Sequence, residues 1–135
     1  MNGVFRSKEP FSEEGYRLVG AAMEVYNHLG FGLLEPIYQE ALEIELAACA
    51  IPFDAQRELD TFYKGSPLKK KYIPDLLVFE RMVVELKAVK ELLPEFEAQL
   101  LNYMRLTRSP VGYLLNFGRP SGLDWRRYIL SEFLT

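Results

Sequence analysis

The sequence is short of the side chains that most often make sites by themselves: among 135 residues there is one cysteine, one histidine and one tryptophan. Cys49 has no partner for an intramolecular disulfide, so a reducing compartment fits, and the cytoplasm is the expected location. Long hydrophobic runs are also missing. No stretch approaches the roughly 18 apolar residues of a membrane span, and the most apolar one, Val111 to Phe117, is bounded by Pro110 and Gly118. Met1 to Phe11 has no apolar stretch like the core of a signal peptide. Positive charge is in deficit. Sixteen Lys and Arg against nineteen Asp and Glu leave a net charge of −3, with a pI near 5.3. That balance argues against coating nucleic acid through bulk charge, so a phosphate partner must be met locally.

Hydrophobic residues make up 49% and charged residues 26%. These are ordinary globular proportions that exclude disorder and low complexity. At 135 residues the chain is expected to be a single domain, 1–135, with no repeat or linker.

Ser12 is a good N-cap, with Glu13 and Glu14 where the helix dipole favours negative charge, and Leu18, Ala22, Val25 and Leu29 form one stripe that Gly30 ends. A second helix is expected from about Leu34–Pro36 to Ala50, because proline is tolerated in a first turn. Beyond Pro52, Glu58–Tyr63 reads as a strand, followed by strands at Leu68–Phe79 and Met82–Val89 joined at Glu80-Arg81. A third helix opens at Leu93-Pro94, presents Phe96, Leu100, Tyr103 and Leu106 at helical spacing, and stops at Ser109-Pro110. Val111–Phe117 suits a strand covered on both faces, and Asp124–Leu130 is ambiguous between an edge strand and a helix. The expected order is ααβββαβ plus that tail. Gly30-Phe31-Gly32 lies between two helices and is not a dinucleotide fingerprint.

The strongest functional signal is Pro74-Asp75 followed by Glu85-Leu86-Lys87. Residues two apart on a strand share a face, so Glu85 and Lys87 point together. If Asp75 joins them, two carboxylates and an ammonium converge, and the carboxylates repel unless a proton or cation sits between them. A divalent ion is the expected resident, with oxygen ligands favouring Mg²⁺ or Mn²⁺ over zinc. Parity sets a condition. A two-residue loop at Glu80-Arg81 would pair residue i with 161 − i and place Asp75 opposite Leu86, so a shared site requires an odd loop or a bulge near Phe79–Met82.

Asp75 and Glu85-x-Lys87, in this element order, resemble the PD-(D/E)XK nuclease superfamily. Gly32-x-x-Glu35-x-x-Tyr38 with Ala41-Leu42, and the run Gln99-Leu100-Leu101-Asn102-Tyr103, look like the GxxExxY family within it. The likeness runs from about Tyr16 to Gly118. It implies an α/β fold with a restriction-endonuclease-like core, a mixed β-sheet flanked by helices. It further implies a metal-dependent phosphodiesterase in which Asp75 and Glu85 are metal ligands, Glu35 is a further one, and Lys87 stabilises charge or orients water. Gln99-x-x-x-Tyr103 is similar to an element of RecB-like exonucleases that lies beside the active site and the DNA. Some relatives carry a histidine near the end of the first helix. This chain has Tyr26 there, and His28 would face another way, so no histidine ligand is assigned.

Gln99 and Tyr103, four apart on one helical face, suit a shared role at the site, Gln99 toward the attacking water or Lys87 and Tyr103 toward a phosphate or base. Tyr38, Tyr103 and Lys71 are the candidates for nucleic-acid contact. Each has a plainer reading beside it: core-edge packing for the tyrosines, a solubilising edge for Lys69-Lys70-Lys71, a dipole-favoured charge for Glu35 and a surface ion pair for Glu85 and Lys87. The expected substrate is DNA, with RNA second. An acidic chain of this size offers little surface to a long duplex, so a homodimer or another partner would complete the groove, with Phe117, Trp125, Tyr128, Phe133 and Leu134 as the candidate contact. The rival is a nuclease-like fold that binds nucleic acid or protein without cutting.

Overall fold

The computed structural model describes residues 9–134. Most of the amino-terminal stretch read above for a signal peptide lies outside them. Helix α1 is Ser12–Leu29 and α2 is Glu35–Ala48. Strands follow at β1 Phe53–Ala55, β2 Phe62–Tyr63, β3 Ser66–Pro67, β4 Leu76–Val78 and β5 Met82–Lys87. Helix α3 Pro94–Thr107 then leads into β6 Val111–Asn116 and β7 Asp124–Ile129. Among the described residues no helix is long and apolar enough to cross a membrane.

The main sheet has the order β1-β4-β5-β6-β7, with β2 and β3 forming a separate two-stranded ribbon. Only β5 and β6 run parallel; the other pairs are antiparallel. A parallel pair needs a crossover, and α3 provides it. Alternate residues face opposite layers. Leu76, Val78, Val84, Leu86, Tyr113 and Leu115 pack with α1 and α2, while Leu77, Val83 and Leu114 pack with Leu100 and Met104 of α3. Coverage on both sides explains why β6 is buried throughout. Helix α3 sits close on β6 at Gly112, where a Cβ would lie 2.5 Å from the Met104 sulfur.

This is the α/β sheet flanked by helices expected from the sequence, with several local corrections. The N-cap of α1 is Phe11, in the left-handed region at φ 57° and without a side-chain cap, and Ser12 is the first helical residue. The first strand of the sheet is β1, not Glu58–Tyr63, which contributes only a bridge from Leu59 to Tyr72 and the two residues of β2. Leu68–Phe79 shrinks to Leu76–Val78, since Pro74 lacks an N–H for a ladder. Lys69 to Lys71 therefore lie on no strand. The ambiguous tail is the edge strand β7, paired to β6 from Asn116↔Asp124 to Val111↔Ile129. Phe117 is fully buried, so it does not form the exposed contact expected for a homodimer, whereas Trp125 is half-buried at the edge of the core.

Candidate active site

The hairpin between β4 and β5 sets the geometry. Val78 pairs with Met82 and Leu76 with Val84, leaving a three-residue loop, Phe79, Glu80 and Arg81. Phe79 and Glu80 take left-handed φ values of 52° and 63°, as an odd loop that must reverse direction requires. Continuing the register by one pair sets Asp75 opposite Glu85. The parity condition for a shared site is thus met.

Asp75 Oδ2 accepts the Leu86 backbone N–H at 2.7 Å. Glu85 Oε2 accepts the Tyr72 hydroxyl, and the Tyr72 ring stacks on Tyr103 with centroids 4.2 Å apart. Burial and the adjacent Asp75 charge push Glu85 up to about 8. Burial, with the Glu85 charge behind it, pushes the Tyr72 hydroxyl up as well. Glu35, at the start of α2, is raised by burial and then by Asp75, while Lys87 acts in the opposite direction. The three carboxylates and the lysine therefore share one electrostatic neighbourhood. The Lys87 ammonium lies over the Phe96 ring, 4.4 Å from its centroid.

Two cavities meet at Ile73. One of about 300 Å³ is bordered by Glu85, Lys87, Gln99, Tyr103 and Lys71. The other, of about 310 Å³, is bordered by Glu35, Gln39, Glu43 and Asp75. Among the described residues no group of three or more His, Cys, Asp or Glu side chains is arranged to hold one metal ion. Asp75 and Glu85 are nonetheless neighbours, and donation of the protonated Glu85 carboxyl to Asp75 contributes to the raised pKa of Glu85. Such a pair, holding a proton between hard oxygen donors, fits a divalent cation that would relieve the same repulsion. Glu35 stands beside this pair and does not close it into a trio.

Tyr38 is a correction. It is fully buried, its ring stacks on Phe117 at 4.8 Å, and its hydroxyl donates to Gly30 O and accepts from Leu33 N. It braces the α1–α2 turn and has no surface to offer nucleic acid. Lys71 is exposed at the cavity rim and ion-paired with Asp60. Tyr26 donates its hydroxyl to Arg119 O, and His28 is exposed.

Several neighbours escaped the sequence reading. Tyr72 carries no motif. Gln39 donates to Asp75 O at 3.0 Å and to Glu43 at 2.9 Å; its signal was its place one turn beyond Glu35 on the same face. Asn116 is fully buried. Its Oδ1 accepts from Val89 N at 3.0 Å and Gly118 N at 3.1 Å, and its Nδ2 donates to Val89 O at 2.9 Å. As the one strongly polar side chain in an apolar run, it was visible in the sequence and passed over. It anchors the chain just past Lys87, whose own carbonyl accepts from Phe117 N.

A family model described as the PD-(D/E)XK nuclease superfamily matches residues 12–128. The chain belongs to the PD-(D/E)XK nuclease superfamily. No curated protein matches this PD-(D/E)XK protein. Among solved structures, the crystal structure of SSO0001 is similar at 18% identity with a TM-score of 0.56, covering 88% of this chain and 59% of that one. The similarity supports the fold, and this PD-(D/E)XK chain spans 59% of the length of that structure. An alkaline exonuclease (LHK-Exo) from Laribacter hongkongensis matches at 14% identity and a TM-score of 0.49, over 95% of this chain and 74% of that one.

Proposed function

We propose that this protein is a metal-dependent nuclease of the GxxExxY type that hydrolyses phosphodiester bonds in DNA or, as second choice, RNA. The observation that carries this reading is the three-residue β4–β5 loop, which brings Asp75 opposite Glu85. Asp75 and Glu85 would hold Mg²⁺ or Mn²⁺, with Glu35 as a neighbouring ligand. Such an ion, when bound, lowers the pKa of its water and polarises a phosphoryl oxygen.

The chain's own groups have separable tasks. The Lys87 ammonium offsets charge that builds on the phosphate in the transition state, and Phe96 beneath it limits where it can swing. Tyr72 holds Glu85 in place through its hydroxyl, and the Leu86 N–H does the same for Asp75. Gln99 borders the cavity from α3, and its amide would orient a water toward the phosphate.

Incubation with labelled single- and double-stranded DNA and RNA plus Mn²⁺ tests the proposal. Wild type should cleave, and Asp75→Ala and Lys87→Ala should not. Equal cleavage by all three would mean that the activity comes from elsewhere. The second reading is a nucleic-acid-binding module that does not cut. It is favoured by the lack of any trio of ligating side chains set for a metal among the described residues. Calorimetry with Mn²⁺ separates the two, since heat that disappears in Asp75→Ala supports the enzyme.

A further inference from the structure

Beside the cavity that holds Glu85 and Lys87 lies a shallower one of about 430 Å³ on α3. Gln99 and Tyr103 border both. Tyr72 stacks on Tyr103 and borders only the first cavity, so the part of Tyr103 in the second is what Tyr72 leaves uncovered. Ala98 and Leu106 add apolar surface there, and Gln99 and Asn102 add amides.

The cavities differ in charge. The first has Lys70, Lys71 and Lys87 at its border against one carboxyl, Glu85, and the second has a single charged residue, Glu95. Arg105, outside its lining, donates to Asn102 Oδ1 at 3.1 Å. A phosphate is drawn to the lysines and repelled by Glu95, whereas a neutral aromatic base suits an uncovered tyrosine flanked by amides that can pair with its edge.

Resting on the nuclease reading above, we propose that the second cavity seats one unpaired base of a single-stranded nucleic acid, stacked on Tyr103, while its phosphate lies by the lysines. A base inside a duplex has both faces stacked and its edge paired, so it reaches this surface only by being unstacked. The substrate class that follows is single strands and frayed ends.

The test is titration of the full chain, in EDTA at low salt so that no cleavage intrudes, into oligonucleotides carrying the stacking-sensitive base 2-aminopurine. Wild type and Tyr103→Phe should quench its fluorescence and bind the single strand about tenfold more tightly than the duplex. Tyr103→Ala should lose the quenching and about tenfold in affinity. Ala98 is exposed, so Ala98→Leu narrows the cavity with a side chain that offers no aromatic face, removes no core group and should lose the same binding. Equal affinity for duplex and single strand, or quenching that persists in both Tyr103→Ala and Ala98→Leu, overturns the base site. Binding without Mn²⁺-dependent cleavage would keep the base site and sink the hydrolytic reading, so the two fail separately.

Discussion

Glu85 is held where a carboxylate is costly to ionise, buried and beside Asp75, and its pKa rises from 4.5 to about 8. Because the folded value lies above the unfolded one, the protonated carboxyl favours the fold fully below pH 4.5, and that contribution is lost as pH rises through 8. Metal-free protein should therefore lose thermal stability across this window. Glu85→Gln, which cannot ionise, should flatten the profile and melt higher than wild type at pH 8 to 9, as differential scanning calorimetry would show. Lys87 belongs to the opposite class, a group whose proposed value is catalytic. Lys87→Ala should lower Mn²⁺-dependent cleavage by about 10²- to 10³-fold while leaving the melting temperature close to wild type. Asn116 is structural. With its three bonds to Val89 and Gly118 gone, Asn116→Ala should cost about 1–3 kcal/mol of stability in urea titration, since the partners are left buried without a substitute.

Among the elements, the β4–β5 hairpin decides whether the acidic pair exists. Its loop contains two non-glycine residues in the left-handed region, Phe79 and Glu80, a conformation that disfavours a side chain by about 1–2 kcal/mol. Glu80→Gly should then stabilise the protein by about 0.5–1 kcal/mol in chemical denaturation and leave cleavage unchanged. No glycine or asparagine announces this loop in the sequence, and its odd length followed only from asking which register lets Asp75 and Glu85 share a face. The helices were legible because α1 and α3 repeat apolar residues at helical spacing and a proline opens both α2 and α3. β1 was not, since three residues, Phe53, Asp54 and Ala55, are too few to express a period and gain their identity from pairing with β4. Leu68–Phe79 read too long because the β-prone residues on either side, Tyr72-Ile73 and Leu76 to Phe79, hide the break that Pro74 imposes. Of the site, Asp75, Glu85, Lys87, Gln99 and Tyr103 could be found by spacing and resemblance. Tyr72 and Phe96 could not, because their roles arise from contacts between segments far apart in the chain.

For the molecule as a whole, the net charge of −3 means that attraction to a polyanion must come from the few cations at the cleft, Lys70, Lys71 and Lys87. Three such contacts to a single strand predict a slope of about −2 for log affinity against log salt concentration, at roughly 0.7 per phosphate. Fluorescence titrations between low and moderate salt would measure it. A much steeper slope would require a broader basic surface than the cleft provides. The strands before and after α3 also differ in when they become available during synthesis. Every acidic group and the amine of the site lie before α3, but the amide that ties down the end of their strand belongs to β6, beyond the crossover. A nascent or truncated chain that stops short of Asn116 would carry all of the groups proposed to react without their brace, so the proposed cleavage should appear only once the polypeptide has been extended through its sixth strand.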